Sequence, residues 1–456
     1  MTYTTLTIID SSKNKTSPDS ASDAKFLTAA EQPTTMATTK TTAVTKVDSA
    51  VFRRRLPEEL QIMPYTLRVL EFVGLWGSWN QFPFFVLFMT TGTMVILFPK
   101  AFLGIGHSEF AIMAKGIAEF IFEANIYLSA LIFSTKRASF VKVVNGLAEF
   151  FHEVSNADND CYDLIRTTNV KIRYFWLFMV LYCATGPIIF CIPSATVTYL
   201  RYWDAIGKNL SEPLVYEIPM EQEFYGLDIR KNFIHNQIFL GFSFLAYCAS
   251  KFFLLVMITT PFIMIKYNSL TYQLVCERIR KLPQLPGGPK PAGSSSSNRT
   301  EVNVPDLAEV VRLHRQAYEI TQQIEDIVHL PVALEYFTCV MFYCMAMFYI
   351  STYIDFSLFN IMVLFLASLM ETFGYSYLGS ELSEEAAAVG TAIYDLPWYD
   401  HSVELQRYYR LIIQRTQRTT GIFGLRFFLV QLTTFANVMQ MSYSYFLVLK
   451  DVLQQL

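Results

Sequence analysis

Charge is scarce in this chain of 456 residues. Only 16% of the side chains are Asp, Glu, Lys or Arg, and 36 basic against 39 acidic groups leave a net charge of −3. A nucleic-acid binder read from bulk charge would carry a basic excess, so nucleic acid is excluded as a partner. Motifs for chemistry are missing as well. There is no Gly-rich phosphate loop, no His-Glu-x-x-His and no nucleophile elbow, and His107, His152, His235, His314, His329 and His401 lack metal-ligand spacing. No enzyme activity, metal or cofactor is expected, and His314 and His329 read as surface residues of cytoplasmic helices. The seven cysteines form no CxxC pair. An odd number scattered mostly through apolar runs reads as buried free thiols rather than a disulfide framework.

What the chain has in abundance is apolar surface. It is 52% hydrophobic and 15% aromatic, with a mean hydropathy of +0.30. Disorder throughout is thereby excluded, and a polytopic all-α membrane protein is expected. Residues 1–50 are the exception: Ser/Thr-rich and aromatic-poor, they cannot bury enough surface to offset the entropy of ordering. Residues 1–60 are therefore expected to form a disordered cytoplasmic tail, with no signal peptide. Residues 61–265 follow as a pre-membrane amphipathic helix, over 62–76, and the first four spans.

Seven runs reach the length needed to cross a hydrocarbon core of about 30 Å: 82–99, 109–133, 172–200, 237–265, 333–353, 356–380 and 423–449. Lys and Arg near span ends mark the cytoplasmic side. They concentrate before the first span (Arg53, Arg54, Arg55), between the second and third (Lys136, Arg137, Lys142), between the fourth and fifth (Arg278, Arg280, Lys281) and between the sixth and seventh (Arg407, Arg410, Arg415). The N-terminus is thus cytoplasmic and the C-terminus extracellular. That orientation is opposite to a G-protein-coupled receptor, whose sequence marks are also absent. Of the sequons at Asn14, Asn209 and Asn298, only Asn209 falls in an outer loop, 201–236, and it is the glycosylation candidate.

The cytoplasmic side is large. Residues 266–332 read as anchor helices, 266–282 continuing the fourth span and 305–332 leading into the fifth, around a flexible Pro/Gly/Ser insert at 283–304. Residues 333–380 hold spans five and six, 381–422 another anchor helix centred on the amphipathic stretch 400–420, and 423–456 the last span with the extracellular C-terminus. Amphipathic helices without lipid-length runs should pack on one another below the membrane.

The most specific signal lies in the last 90 residues. Phe373-Gly374-Tyr375-Ser376-Tyr377-Leu378-Gly379-Ser380-Glu381-Leu382 leads to Ala392-Ile393-Tyr394-Asp395-Leu396-Pro397-Trp398-Tyr399, then to Arg410-Leu411-Ile412-Ile413-Gln414-Arg415 and Met441-Ser442-Tyr443-Ser444-Tyr445-Phe446. In this order and spacing the chain resembles the insect odorant receptor family, as do Gly74-Leu75-Trp76 and Tyr216-Glu217-Ile218-Pro219. The resemblance implies subunits of tetrameric odorant-gated non-selective cation channels. Small volatile odorants would be the ligands, a common coreceptor the partner in a heterotetramer, membrane lipid the surroundings, and the plasma membrane of olfactory neurons the location. The tail Ser444-Tyr445-Phe446-Leu447-Val448-Leu449-Lys450-Asp451 departs from the coreceptor pattern, which implies a ligand-tuned subunit. Lys450-Asp451 also interrupts the ending of the related gustatory receptors. A gustatory-type subunit and a metabotropic seven-helix receptor are the alternative readings.

Aligned with the family's pore helix, Val448 and Val452 take gate positions, four residues apart on one helix face, with Lys450 near the outer mouth. The family's pocket lies in the outer half of the bundle. That region offers Phe110, Met113 and Phe120 on the second span, Thr185, Gly186 and Phe190 on the third, and Phe239, Phe242, Ser243 and Tyr247 on the fourth. Tyr349 on the fifth and Phe359 and Met362 on the sixth complete it. Any single one of these reads as core ahead of ligand contact; it is as a set that they are enriched. Ionisable groups inside spans are costly and usually paired; Glu123 and Lys251 fall at similar depth and are expected to form an ion pair.

Overall fold

The computed structural model describes residues 60–77, 81–104, 109–208, 214–282, 304–353 and 358–454. The N-terminal tail up to residue 59, the 283–303 insert and Asn209 lie outside the described residues.

Helix α1 is Pro64–Phe72. Helix α2, Phe82–Gly92, continues through π-helical turns at Thr93–Leu97 and Pro99–Leu103. Then come α3 (Phe110–Thr135), α4 (Arg137–Ala157), α5 (Asn159–Lys208), α6 (Phe233–Lys281), α7 (Val304–Thr352) and α8 (Leu358–Tyr394). A 3-10 turn at Trp398–Asp400 precedes α9, Val403–Thr416, and the chain ends in α10, Leu432–Gln454. Among the described residues six helices are long and apolar enough to cross a membrane: α2, α3, α5, α6, α7 and α8.

The seventh expected span, 423–449, needs correction. Its first third is a two-stranded antiparallel hairpin, β1 (Phe423–Gly424) with β2 (Phe428–Leu429), in the register Phe423 to Leu429 and Gly424 to Phe428. The turn holds Leu425 and Arg426 at φ 47° and 63°, left-handed conformations that no helix contains. Gly424 lies under the Phe428 ring, where a Cβ would be 2.3 Å from a ring carbon. Helix α10 starts only at Leu432. Its 23 residues would span about 34 Å, but Thr433, Thr434, Asn437, Gln440, Ser442 and Ser444 dilute its apolar character.

Helices α5, α6 and α7 contain 50, 49 and 49 residues. Each is about 75 Å long, more than twice the hydrocarbon thickness. Segments 266–281 and 305–332 are thus unbroken extensions of membrane helices, α6 and α7. The extensions are tied together below the bilayer. Arg278 pairs with Glu309 at 3.2 Å, and Lys281, at the end of α6, with Asp160 at 2.5 Å and with Asp158. Arg312 meets Glu153, and Lys136 meets Asp326 at 2.9 Å. Burial disfavours the Asp158 carboxylate, yet the hydrogen bonds from Lys281 and the Asp160 amide, together with the Lys281 charge, outweigh it and hold the group below its ordinary range. In the interior Asn268 Nδ2 donates to Thr321 Oγ1 at 2.9 Å, and Tyr272 shares the same hydroxyl.

Two features of this anchor differ from the sequence expectation. Helix α4 adds to it, burying Phe140, Val143, Val144, Leu147, Phe150, Phe151 and Val154. Three- and four-residue spacing of these side chains is an amphipathic signal present in the sequence. His314, expected on the surface, packs against Tyr272 with ring centroids 6.1 Å apart. Burial, reinforced by Arg415, lowers its pKa to about 4. His329 is likewise part-buried, and its pKa is lowered first by burial. Helix α9, capped by the Ser402 hydroxyl, buries Leu405, Tyr409 and Ile412, and Gly390 of α8 makes room for Thr416. All seven cysteines are free thiols; six are buried and Cys248 is exposed on the outer surface of α6.

Candidate ligand chamber and pore-facing helix

A buried charge network closes the outer end of the bundle. Glu119 of α3 takes Lys100, from the end of α2, at 2.5 Å and Lys115 at 3.9 Å. Lys115 also reaches Glu221 of the 214–232 loop at 3.3 Å, and Arg230 completes the chain on Glu221 at 2.7 Å. The Glu221 amide donates to Glu119 at 3.2 Å. Four of these five side chains are nearly inaccessible, so each charge must be compensated. Gln222, fully buried, donates to the Val95 carbonyl at 2.9 Å, and Met220 and Phe224 are buried beside it. Chain from the second outer loop thus plugs the bundle from above.

Below the plug the structure brings part of the expected pocket set together. Phe190 and Tyr247 stack at 5.2 Å, and Phe239, fully buried, meets Phe224 of the plug at 5.0 Å. Ser243 is fully buried, and its hydroxyl has no hydrogen-bond partner among the described residues. Tyr349 is buried with Lys115 Nζ 5.5 Å from its ring centroid. Gly186 faces Lys251: a Cβ there would lie 3.1 Å from the lysine's methylenes. Met113, Phe120 and Thr185 are half-buried, and the Thr185 hydroxyl returns to the Tyr182 carbonyl at 3.0 Å.

Phe110, Phe242, Phe359 and Met362 are exposed on the outside of the bundle. Helical periodicity turns them away from their buried neighbours, although Phe110 touches Phe348 edge-on at 5.4 Å and Phe242 meets Phe224 of the plug at 6.2 Å.

The expected Glu123–Lys251 ion pair is not made. Glu123 instead accepts from the Ser250 hydroxyl. Lys251 is 3% exposed, and its ammonium group has no hydrogen-bond partner among the described residues. It sits 5.3 Å from the Phe122 ring centroid and 5.4 Å from that of Phe190. Adjacent in sequence on α6, Ser250 and Lys251 diverge by about 100°, so the hydroxyl meets α3 while the lysine turns toward α5. A desolvated cation over aromatic faces gains about 2 kcal/mol, well short of full solvation.

Sequence reasoning missed a second polar cluster between α3, α7 and α8. Glu335 accepts from Asn125, from Cys339 Sγ at 3.0 Å and from Thr372 Oγ1 at 3.4 Å. Tyr343 joins Thr372 at 2.9 Å, and Tyr336 joins Ser376. Glu335 and Glu371 line a cavity of about 30 Å³ with Asn125, Pro261 and Pro331. Both carboxylates fall inside expected spans. The rule that flagged Glu123, that intramembrane charges need partners, would have found them.

The last helix is attached by one stripe. Val438, Ser442 and Phe446 are buried, with Leu449 and Leu453 half-buried, along the contact with α7 and α8. The opposite face is exposed and mostly polar: Thr433, Asn437, Gln440, Ser444 and Asp451 recur at three-, four- and seven-residue spacing. Val448, 62% exposed, continues that face between Ser444 and Asp451; Val452, 52% exposed, lies at its flank, and Lys450 sits over the Phe446 ring at 5.9 Å.

Comparison with known proteins agrees with this architecture. The insect olfactory receptor OR5 from Machilis hrabei, solved in complex with eugenol, is similar with a TM-score of 0.64 over 82% of this chain and 90% of its own, at 16% identity. The odorant receptor coreceptor of Drosophila melanogaster is 35% identical over 82 residues, 18% of this chain and 17% of that protein. Putative odorant receptor 92a of Drosophila melanogaster is 25% identical over 150 residues, 33% of this chain and 37% of that protein. The chain thus matches well under two thirds of the length of these curated relatives. The family model described as 7tm Odorant receptor matches residues 111–443, from the second membrane helix to within the last. The chain belongs to the 7tm odorant receptor family.

Proposed function

We infer that this protein is the odorant-binding subunit of an odorant-gated, non-selective cation channel, assembled with the common coreceptor as a heterotetramer in the plasma membrane of olfactory neurons. The polar outward face of α10 carries the reading. Facing hydrocarbon, Asn437 and Gln440 would each need a partner that lipid cannot supply; around a water-filled axis shared with other subunits they are solvated. Val448 narrows that axis near its outer end, where a ring of apolar side chains can exclude water. The pocket under the outer plug would hold a small apolar molecule against Phe190, Tyr247 and Phe239, with Ser243 and Lys251 as its polar contacts, in keeping with dry, aromatic-lined ligand sites. An odorant opens such a channel only to the extent that it binds the open arrangement more tightly.

Whole-cell recording from cells carrying this chain and the coreceptor, against a broad panel of volatiles, tests the reading. Odorant-evoked current that persists under G-protein blockade is expected. Current abolished by that blockade, or silence across the panel from a receptor shown at the cell surface, would overturn it.

A further inference from the structure

At the cytoplasmic edge of the bundle, remote from the outer chamber, α1, α5 and α6 enclose a cleft of about 390 Å³. Arg68 of α1 lines it together with Arg166 and Arg173, which are seven residues apart on one face of α5, and among the described residues no Asp or Glu lines it. Glu71, the acid of α1, lies against Gly77 instead. One wall is aromatic: Tyr65 and Trp176 stack at 5.1 Å, and the Arg173 guanidinium is 5.9 Å from the Tyr65 ring centroid.

The same wall holds a donor without a partner. Thr66 is 1% exposed, lines the cleft, and its hydroxyl makes no hydrogen bond among the described residues. A buried hydroxyl in that condition is destabilising until an acceptor reaches it. Helix α1 starts here with Pro64 and without a side-chain cap, so the Tyr65 and Thr66 amides of its first turn add to the donors. The start is held in place from α6. Met63, in left-handed backbone at φ 47°, donates its amide to the Tyr267 hydroxyl at 3.4 Å, and Tyr267 donates to Asn169 of α5 at 2.8 Å.

Depth and neighbours identify the occupant. Arg173 immediately precedes the apolar run of α5, and Val170, Tyr174 and Leu177 are exposed on that helix beside the cleft. The charge distribution places this end on the cytoplasmic side, so the cleft opens where inner-leaflet headgroups meet their acyl chains. Guanidinium groups bind phosphate oxygens in bidentate fashion, and basic groups at that surface attract anionic lipids. We propose that the cleft between α1, α5 and α6 binds the phosphorylated headgroup of an anionic lipid of the cytoplasmic leaflet, with Arg68, Arg166 and Arg173 on the phosphate and the Thr66 hydroxyl as a further donor. Occupancy would clasp the pre-membrane helix to the bundle through the lipid.

Titration of the purified full chain with a fluorescent short-chain phosphatidylinositol 4,5-bisphosphate tests this. The substitutions Arg68→Gln, Arg166→Gln and Arg173→Gln together should weaken binding at least tenfold, and Thr66→Val about threefold. Arg280→Gln with Arg315→Gln, which removes exposed charges outside the cleft, should leave it unchanged. Equal loss in that control pair, or unaltered binding in a folded triple variant, would show nonspecific attraction and overturn the proposal. Soluble inositol trisphosphate that displaces the lipid probe at equal concentration would overturn a lipid as the occupant. If the triple variant does not fold, a photoactivatable form of the lipid decides on the unaltered chain: crosslinks in α1 and the start of α5 support the site, and crosslinks confined elsewhere refute it.

Discussion

Lys251 is buried in mid-membrane with its Nζ beside the rings of Phe122 and Phe190 and without a hydrogen-bond partner among the described residues, and that makes it the residue whose replacement is most informative. A hydrogen bond to a charged donor is worth about 1.5–3 kcal/mol. Lys251→Met is therefore expected to raise the half-maximal concentration for carbonyl- or hydroxyl-bearing odorants about tenfold or more, and to leave hydrocarbon odorants nearly unaffected. Concentration–response curves for a matched ketone and alkane check it, and a uniform shift for both would point to packing instead. Ser250→Ala, by contrast, removes the partner Glu123 does have. His314 makes a prediction outside the membrane. Its pKa falls from an ordinary 6.5 to about 4 through burial and then Arg415. Between those values the unfolded chain binds a proton that the folded chain refuses, so stability declines as pH falls from about 6.5 toward 4, by on the order of 1 kcal/mol per pH unit. Melting curves of the detergent-solubilised chain at pH 7.5 and 5 should differ more for the parent than for His314→Gln; equal acid sensitivity would assign the effect to other groups.

Helix α10 illustrates what periodicity can and cannot settle about an element. Its buried stripe, Val438, Ser442 and Phe446, is legible as every fourth residue, and the polar residues opposite explain its weak hydropathy. The segment before it was misread, because an apolar run such as Ile422 to Val430 has the same composition whether it forms a helix or a hairpin. Gly421 and Gly424 were the available signal. Helix α4 was missed for a related reason: attention to apolar length passes over amphipathic helices that never enter the bilayer. The inner chamber was half legible. The side chains on the correct helices could be named, but Phe242, Phe359 and Met362 could not be separated from Phe190, Phe239 and Tyr247 until helix rotation was known. On α10 itself, Val448→Ser places a hydroxyl at the level proposed for the gate. It should let water in and produce a standing cation current without odorant when co-expressed with the coreceptor. Unchanged baseline current at normal surface expression would remove Val448 from the gate.

At the scale of the whole molecule the anchor and the chamber are joined by the same three long helices. Lys281 with Asp158, Arg312 with Glu153 and Lys136 with Asp326 tie those helices and α4 together below the bilayer, and α9 closes on α8 at a site without room for a side chain. A Cβ on Gly390 would meet the Thr416 hydroxyl at 2.2 Å. Gly390→Leu is expected to lift α9 from α8 and to reduce co-purification with the coreceptor several-fold, while odorant binding by the chain alone, at the far end of the rods, persists. Loss of both would mean that the chain had unfolded. The charge asymmetry that orients the protein was readable from loops alone; the continuity of α5, α6 and α7 was only half so, since hydropathy drops where they leave the lipid although the helices do not end. That continuity has a consequence for how such proteins can be rebuilt. A rod that carries its register unbroken from one compartment to the other can be cut and rejoined at a matching turn. Exchanging the outer portions of α3, α5 and α6 together with the plug between relatives should therefore transplant odour preference onto an unaltered assembly base.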